Sequence, residues 1–288
     1  MRDPGSTQHR VVSTDGVGLA VHESGNPDGP VVVAVHGFPD NHHVWDGLAA
    51  ELGSEVRFVT YDVRGAGESD KPTGRAAYRI AQLGDDLAAV LDAVSPDAPV
   101  HLVGHDWGSM QMWEPLAQPR FAGRVATFTS ISGPSLEFAG AWFRTRGHLG
   151  ATLRQVVAST YMVAFQVPRL PEAVLRRAPI ERVAGRSVRR SAADRTNGIN
   201  LYRANLVRRL LRPRPERLTL PVQVLAPVAD PYSRLATATQ APVPYVDDLT
   251  VEQVPGGHWV VADDPGPIAE RVRAFVEAHS PRDGLSGA

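Results

Sequence analysis

Asp106 stands at the centre of the run Val100-His-Leu-Val-Gly104-His105-Asp106-Trp107-Gly108. An apolar strand leads into a Gly-x-Asp-x-Gly turn, and a helix follows. This is the form of a nucleophile elbow, a turn so sharp that flanking side chains would clash, hence Gly104 and Gly108. The central side chain is thrust above the sheet at a helix N-terminus, where the helix dipole favours negative charge. A carboxylate in that position can displace a leaving group at a saturated carbon and become an ester, which water must then hydrolyse. The plainer alternative is a Gly-Asp turn in which the aspartate caps a helix.

The other pieces of such a site follow in the right order. His36-Gly37-Phe38-Pro39 comes directly after a buried strand. A loop of this kind donates a backbone N–H to an oxyanion hole, beside the amide of the residue after the nucleophile. The expected donors are the amides of Phe38 and Trp107. Gly256-Gly257-His258-Trp259 follows the last strand, and His258 is expected to activate the hydrolytic water. Asp230, at the end of Val222-Gln-Val-Leu-Ala-Pro-Val-Ala-Asp230, is expected to orient His258 and stabilise its cation. A turn aspartate before Pro231 is the plainer role there. Asp247, Asp248, Asp263 and Asp264 are rivals on the wrong elements. His36, Pro39 and Trp259 are expected to contact substrate, whereas His105 is expected to pack inside the elbow.

The elements that must hold these residues read as a mostly parallel sheet covered by helices. Arg10–Ser13 and Leu19–Glu23 open the chain as strands. Val31–His36, Val56–Asp62, Val100–Gly104 and Arg124–Ser130 follow, then Val222–Pro227 and Leu249–Val254. Ile80–Val94 places Ile80, Leu83, Leu87, Val90, Leu91 and Val94 on one helical face. A last helix covers about Gly266–Ala278. Between about 134 and 213 the pattern is helical, and it reads as a cap inserted over the sheet's carboxyl edge, where ligands of open α/β folds bind. The core is thus expected over 10–133 and 214–279.

Composition narrows the classes. A net charge of −1 points to neither nucleic acid nor a membrane as partner, and the absence of cysteine excludes disulfides and thiolate chemistry. Met1–Arg10 carries no apolar signal core, and no apolar run approaches a membrane span. A soluble cytoplasmic protein is expected, with a polar, flexible tail from Ser280 to Ala288. No metal or organic cofactor is implied, since carboxylate, histidine and water suffice.

Taken in this order, the motifs resemble those of α/β-hydrolase-fold epoxide hydrolases, from about Val11 to Val276. Two segments of the cap carry the likeness beyond the elbow. Tyr161-Met-Val-Ala-Phe165-Gln166-Val-Pro168 is similar to the family's Tyr-x-x-x-Phe-Gln-x-Pro, and Asn200-Leu201-Tyr202-Arg203-Ala-Asn205 to its Asn-x-Tyr-Arg-x-Asn. The resemblance implies that Tyr161 and Tyr202 point at the nucleophile. Two phenols suit an epoxide, whose oxygen becomes an alkoxide and needs hydrogen bonds, then a proton. A lone helix tyrosine more often packs in a core with a wet hydroxyl. Tyr61-Asp62-Val63-Arg64-Gly65-Ala66-Gly67-Glu68-Ser69 looks like a loop whose role in the family is structural. A closer likeness is to the hydrolase portion of bacterial proteins that join such a domain to a short-chain dehydrogenase. The chain has no dinucleotide fingerprint, and no redox activity is expected of it.

The expected reaction is therefore conversion of an epoxide to a vicinal diol through an aspartyl ester. A haloalkane or haloacid dehalogenase, which shares the aspartate nucleophile, is the alternative enzyme. A non-catalytic, hydrolase-like biosynthetic accessory is the alternative of another class. The partners are a small-molecule epoxide and water, with a homodimer left open. The stretch from Arg169 to Arg217 is strongly basic, with Arg176, Arg177, Arg182, Arg186, Arg189, Arg190, Arg208, Arg209, Arg212 and Arg214. A solvated helical surface accounts for that, and attraction to an acidic substrate, carrier protein or lipid surface is the sharper alternative.

Overall fold

Unbroken runs of β-branched residues make the interior strands, because a strand covered on both faces has no position for a polar side chain. The structure, a computed structural model, describes residues 7–178 and 188–280. Arg182, Arg186 and the tail beyond Ser280 lie outside the described residues. Strands β1 (Thr7–Val12), β2 (Gly18–Gly25) and β3 (Val31–Val35) open the chain. Helix α1 (Asp46–Leu52) and strand β4 (Arg57–Tyr61) come next, then α2 (Ile80–Val94) and β5 (Val100–His105). All six apolar positions expected on one face of α2 are buried. Short helices α3 (Trp107–Met110) and α4 (Trp113–Leu116) lead to β6 (Val125–Ile131).

The eight strands form one sheet in the order β1-β2-β4-β3-β5-β6, followed by β7 (Val222–Pro227) and β8 (Leu249–Val254). β1 and β2 are antiparallel to their neighbours, and all pairs from β4 onward are parallel. Alternation along β3 sends Val33 and Val35 into one apolar cluster and Val32 and Ala34 into the other. The second cluster packs under α1, α12 (Val260–Asp263) and α13 (Pro265–His279). Parallel pairing also puts the carboxyl ends of β3, β5, β6, β7 and β8 on a single edge. The His36 loop, Asp106, Asp230 and His258 all follow those ends.

Between β6 and β7 the described residues hold helices and no strand. These are α5 (Leu136–Trp142), α6 (Leu149–Ala158), α7 (Thr160–Ala164), α8 (Leu170–Leu175), α9 (Ala192–Asn197) and α10 (Ile199–Leu211). A short α11 (Leu235–Gln240) follows β7. Polar ties dock the insert on the sheet. Asn205 accepts from the Ile80 amide at 3.0 Å and donates to the Tyr78 carbonyl at 2.8 Å. Asp194 accepts from the Gly67 amide at 2.8 Å and from Asn41 at 3.1 Å. Arg190 pairs with Asp40 and Arg209 with Glu114, each at 2.6 Å, so part of the basic stretch is internal structure rather than free surface. No helix among the described residues is long and apolar enough to cross a membrane.

The Tyr61–Ser69 loop is structural, as the family resemblance implies. Arg64 is buried and makes two 2.6 Å bonds to Asp86, with Asp15 as a further partner. Asp62 accepts from the amides of His42 and Glu68, at 2.8 and 2.7 Å, which closes the loop on itself.

The elbow between β5 and α3 is set by close backbone approach. Asp106 has φ 52°, a left-handed conformation that L residues adopt only under constraint. A Cβ on Gly108 would lie 1.8 Å from the Val35 carbonyl oxygen, and one on Gly104 2.6 Å from the Ser109 Cα. Gly108→Ala is therefore expected to lose about 3 kcal/mol or more in chemical denaturation. Gly266→Ala, where nothing lies within 4 Å, is expected to stay within about 0.5 kcal/mol of the parent. Equal stability of the two variants would contradict the packing described for the turn.

Candidate active site

Three charged side chains from three strand ends meet at the carboxyl edge of the sheet. His258 Nδ1 lies 2.8 Å from Asp230 Oδ2, and its Nε2 lies 3.4 Å from Asp106 Oδ2. Asp106 is held on its other oxygen, where the Phe38 amide donates to Oδ1 at 2.8 Å. A Cβ on Gly37 would fall 2.3 Å from that oxygen and 2.6 Å from the Trp107 nitrogen, so carboxylate, Gly37 backbone and Trp107 amide share one tight space. Both expected oxyanion donors thus border Asp106.

Pro231 does not disturb the acid. Asp230 Oδ1 accepts from the amides of Tyr232 at 2.7 Å and Ser233 at 2.9 Å, and Oδ2 stays free for the histidine. Burial would raise the Asp230 carboxyl, but the His258 cation and these amides hold it below its ordinary range. Asp247, a rival by sequence, pairs with Arg217 instead.

Electrostatics fix the resting state of His258. Burial alone would lower its pKa; the charges and hydrogen bonds of Asp230 and Asp106 reverse this and raise it to about 10. At neutral pH the ring is therefore an imidazolium between two carboxylates. His105 is fully buried and its Nε2 lies 2.7 Å from the His258 carbonyl oxygen. Burial and the neighbouring His258 lower its pKa, so it packs as a neutral ring, as expected of an elbow residue.

The two cap tyrosines come to the same place from α7 and α10. Their rings are 6.2 Å apart, and Tyr202 stands 5.0 Å from Trp107, edge to face. Burial raises the Tyr161 pKa, and the charge of Asp106 raises it further. For Tyr202 burial comes first, then Tyr161, then Asp106. Both phenols are thus neutral and within the field of the carboxylate. The rest of each segment explains their placement. Arg203 donates to the carbonyls of Phe165 and Val167, both at 2.7 Å, and pairs with Glu172, tying α10 to the chain after α7. Phe165 packs edge to face on Tyr202 at 5.0 Å and on Phe38 at 5.8 Å.

A mostly apolar cavity opens onto this group. Asp106, His258, Tyr161 and Tyr232 line its polar end, and Met110, Leu136, Phe143, Met162, Leu206 and Leu210 its walls. Tyr202 is buried beside it rather than part of the wall. His36, Pro39 and Trp259, expected to contact substrate, are not among the residues that line this cavity. His36 ties its own loop to the one after β4, with Nδ1 2.9 Å from the Gly37 carbonyl oxygen and Nε2 accepting from the Val63 amide at 2.9 Å. Trp259 donates from its indole to Asp40 at 3.0 Å. Pro39 shapes the loop, after a cis peptide bond from Phe38. Tyr232, missed in the sequence, does line the cavity, its ring 5.0 Å from that of His258. Its place two residues after the acid was the one available signal.

Among the described residues, His22, His42 and Asp62 bring three possible metal-ligand atoms within 4.8 Å of one another. Asp62 there is already engaged by His42, whose Nδ1 lies 2.9 Å away, and by backbone amides.

Comparison with known proteins agrees with this fold. A family model described as alpha/beta hydrolase fold matches residues 30–201. A Mycobacterium tuberculosis protein named "Probable oxidoreductase EphD" is 36% identical over 299 residues, covering 93% of this chain and 49% of that protein. The chain spans about half the length of the curated relatives it matches at this level. "Epoxide hydrolase A" of the same organism is 38% identical over 133 residues, 46% of this chain and 40% of that one. The crystal structure of Bacillus megaterium epoxide hydrolase with an inhibitor superposes with a TM-score of 0.78 at 23% identity, covering 93% of this chain and 99% of that one, which shows the shared fold. With its elbow, its sheet order and its helical insert, this chain belongs to the alpha/beta hydrolase fold family.

Proposed function

We propose that the protein is an epoxide hydrolase in which Asp106 attacks an epoxide carbon and forms an ester. The observation that carries this reading is the pair of neutral phenols, Tyr161 and Tyr202, in the field of a nucleophile-position carboxylate. A halide leaves without a proton, whereas a ring-opened epoxide oxygen needs one, so two acids opposite Asp106 favour the epoxide over the dehalogenase reading. Relatives named as epoxide hydrolases support it.

The steps follow from the geometry. The Phe38 amide occupies Oδ1, which leaves Oδ2 to attack. As the ester bond forms, the epoxide C–O bond breaks, and its oxygen takes a proton from one phenol. The ester carries no charge, so the imidazolium loses one of the two carboxylates that hold its proton. With that attraction gone the imidazolium passes its proton to the phenolate, and the neutral His258 ring can then serve as a base, which couples its basicity to the presence of the intermediate. Water attacks the Asp106 carbonyl carbon and gives a proton to His258, while Asp230 stabilises the cation. The amides of Phe38 and Trp107 hold the oxyanion of the tetrahedral intermediate. Collapse breaks the ester C–O bond, the departing diol oxygen takes the proton of the hydroxyl newly bound to the Asp106 carbonyl carbon, and the site returns to a carboxylate beside the His258 imidazolium. The insert between β6 and β7 serves in this reading as the cap that brings the tyrosines to the core, over about residues 134–213.

His258→Ala is expected to undergo alkylation without ester hydrolysis. Mass spectrometry should find the enzyme heavier by one substrate mass, with the addition on Asp106; full turnover by this variant would remove His258 from the mechanism. If no epoxide or organohalide labels that variant, the non-catalytic reading gains instead.

Tyr161→Phe and Tyr202→Phe should each slow single-turnover alkylation by roughly 10²–10³. The double variant should be nearly inactive on epoxides with an unchanged circular dichroism spectrum. Unchanged alkylation in the double variant would mean that the phenols serve packing alone.

A further inference from the structure

Helix α6 is built inside out. An amphipathic helix on a core normally turns its large apolar side chains inward. In α6, Leu149, Leu153, Val156 and Val157 are 50–80% exposed, whereas Gln155 is buried. The Gln155 side chain is fully used inside: it donates to the Tyr232 carbonyl at 2.7 Å and to Ser159 at 3.0 Å, and accepts from the Arg234 amide at 2.9 Å. The apolar face is thus left outward by a polar anchor on the inner side. Val163 on α7 and Leu170 and Val174 on α8 continue the exposure. More than half of the large apolar side chains exposed in the described residues lie between Leu149 and Val174.

Charge accompanies this surface. Arg146, Arg154, Arg169, Arg176 and Arg177 are exposed in the same stretch. From residue 144 to 178 the only acidic residue is Glu172, and Arg203 holds it in a two-pronged pair. Exposed aliphatic side chains beside arginines that have no carboxylate partner among the described residues are the composition of a segment that lies in the interface of an anionic bilayer. A protein-binding face would draw on aromatic side chains, and those of this stretch, Tyr161 and Phe165, face inward.

We propose that the outer face of α6–α8 docks on an anionic lipid surface, with the leucines and valines entering the headgroup boundary and the arginines meeting lipid phosphates. The inner side of the same helices supplies Gln155, Ser159, Tyr161 and Met162 to the cavity wall. Docking would therefore set the cavity close to the apolar phase, from which a poorly soluble substrate could enter. The docking surface does not depend on the reaction proposed above, and its test reads binding rather than turnover.

The full chain should co-sediment with vesicles of phosphatidylcholine and phosphatidylglycerol. Binding should be roughly tenfold or more weaker to phosphatidylcholine alone, and should fall as salt is raised. Leu153→Ser with Val157→Ser should lose binding at an unchanged melting temperature. Should that variant prove unstable, Arg154→Glu with Arg176→Glu carries the same test and should abolish the preference for anionic vesicles. Absence of binding to the mixed vesicles, or binding that ignores both pairs of changes, would overturn the proposal. So would a concentration-dependent dimer, seen by light scattering, that the Leu153→Ser and Val157→Ser changes abolish, for the face would then belong to a second copy.

Discussion

The site rests on an imidazolium confined between two carboxylates in a buried corner of the sheet. Asp106 and Asp230 hold His258 protonated, and its charge in turn makes two buried carboxylates tolerable. Separating any one of the three would leave an uncompensated charge away from water, a far larger cost than the loss of one contact. Each member arrives on a different strand end, so parallel pairing of β5 through β8 is what brings the three side chains together. The strained backbone of Asp106 is maintained by the same arrangement, because Gly104 and Gly108 let α3 pack directly against β3 and β5.

Apolar packing joins the insert to that core, and polar ties of fixed geometry add direction to it. Asn205, Asp194 and Arg190 each reach across to core backbone or to a core carboxylate. Hydrogen bonds with this directionality fix a helix rotationally as well as laterally, and rotation decides whether Tyr202 meets Asp106. Arg203 extends the control to the α7 segment, so that the two phenols are set relative to each other as well as to the core.

Strand positions, the elbow and the meeting of Asp106, Asp230 and His258 at the strand ends were legible because they depend on local pattern. Buried parallel strands read as unbroken apolar runs, and the two glycines of the elbow have few other uses. The Asp230 assignment could be made from the end of β7, and the structure puts that carboxylate against His258 despite Pro231. Side-chain direction was not legible. His36 belongs to the loop expected to supply an oxyanion donor and Trp259 follows His258 directly, but His36 turns toward a loop carbonyl and a loop amide, and Trp259 toward Asp40. Tyr232 enters the cavity because the Asp230 carboxylate gathers the amides that follow it into a turn, a contact with no periodic signal. The outward apolar face of α6 was hidden for a related reason: helical spacing marks which residues share a face, while the Gln155 bonds decide which face is inside.

In the proposed mechanism Asp106, and not water, makes the first bond to substrate carbon. Oxygen isotope transfer tests it most directly. In a single turnover in heavy-oxygen water with enzyme in excess, the new oxygen of the diol should come from the Asp106 carboxylate. Most product should therefore carry ordinary oxygen, and the label should appear in the peptide containing Asp106. Label in the diol after that first turnover, with Asp106 unlabelled, would mean that His258 drives water directly onto the epoxide, and would contradict the nucleophile assignment even for an active epoxide hydrolase.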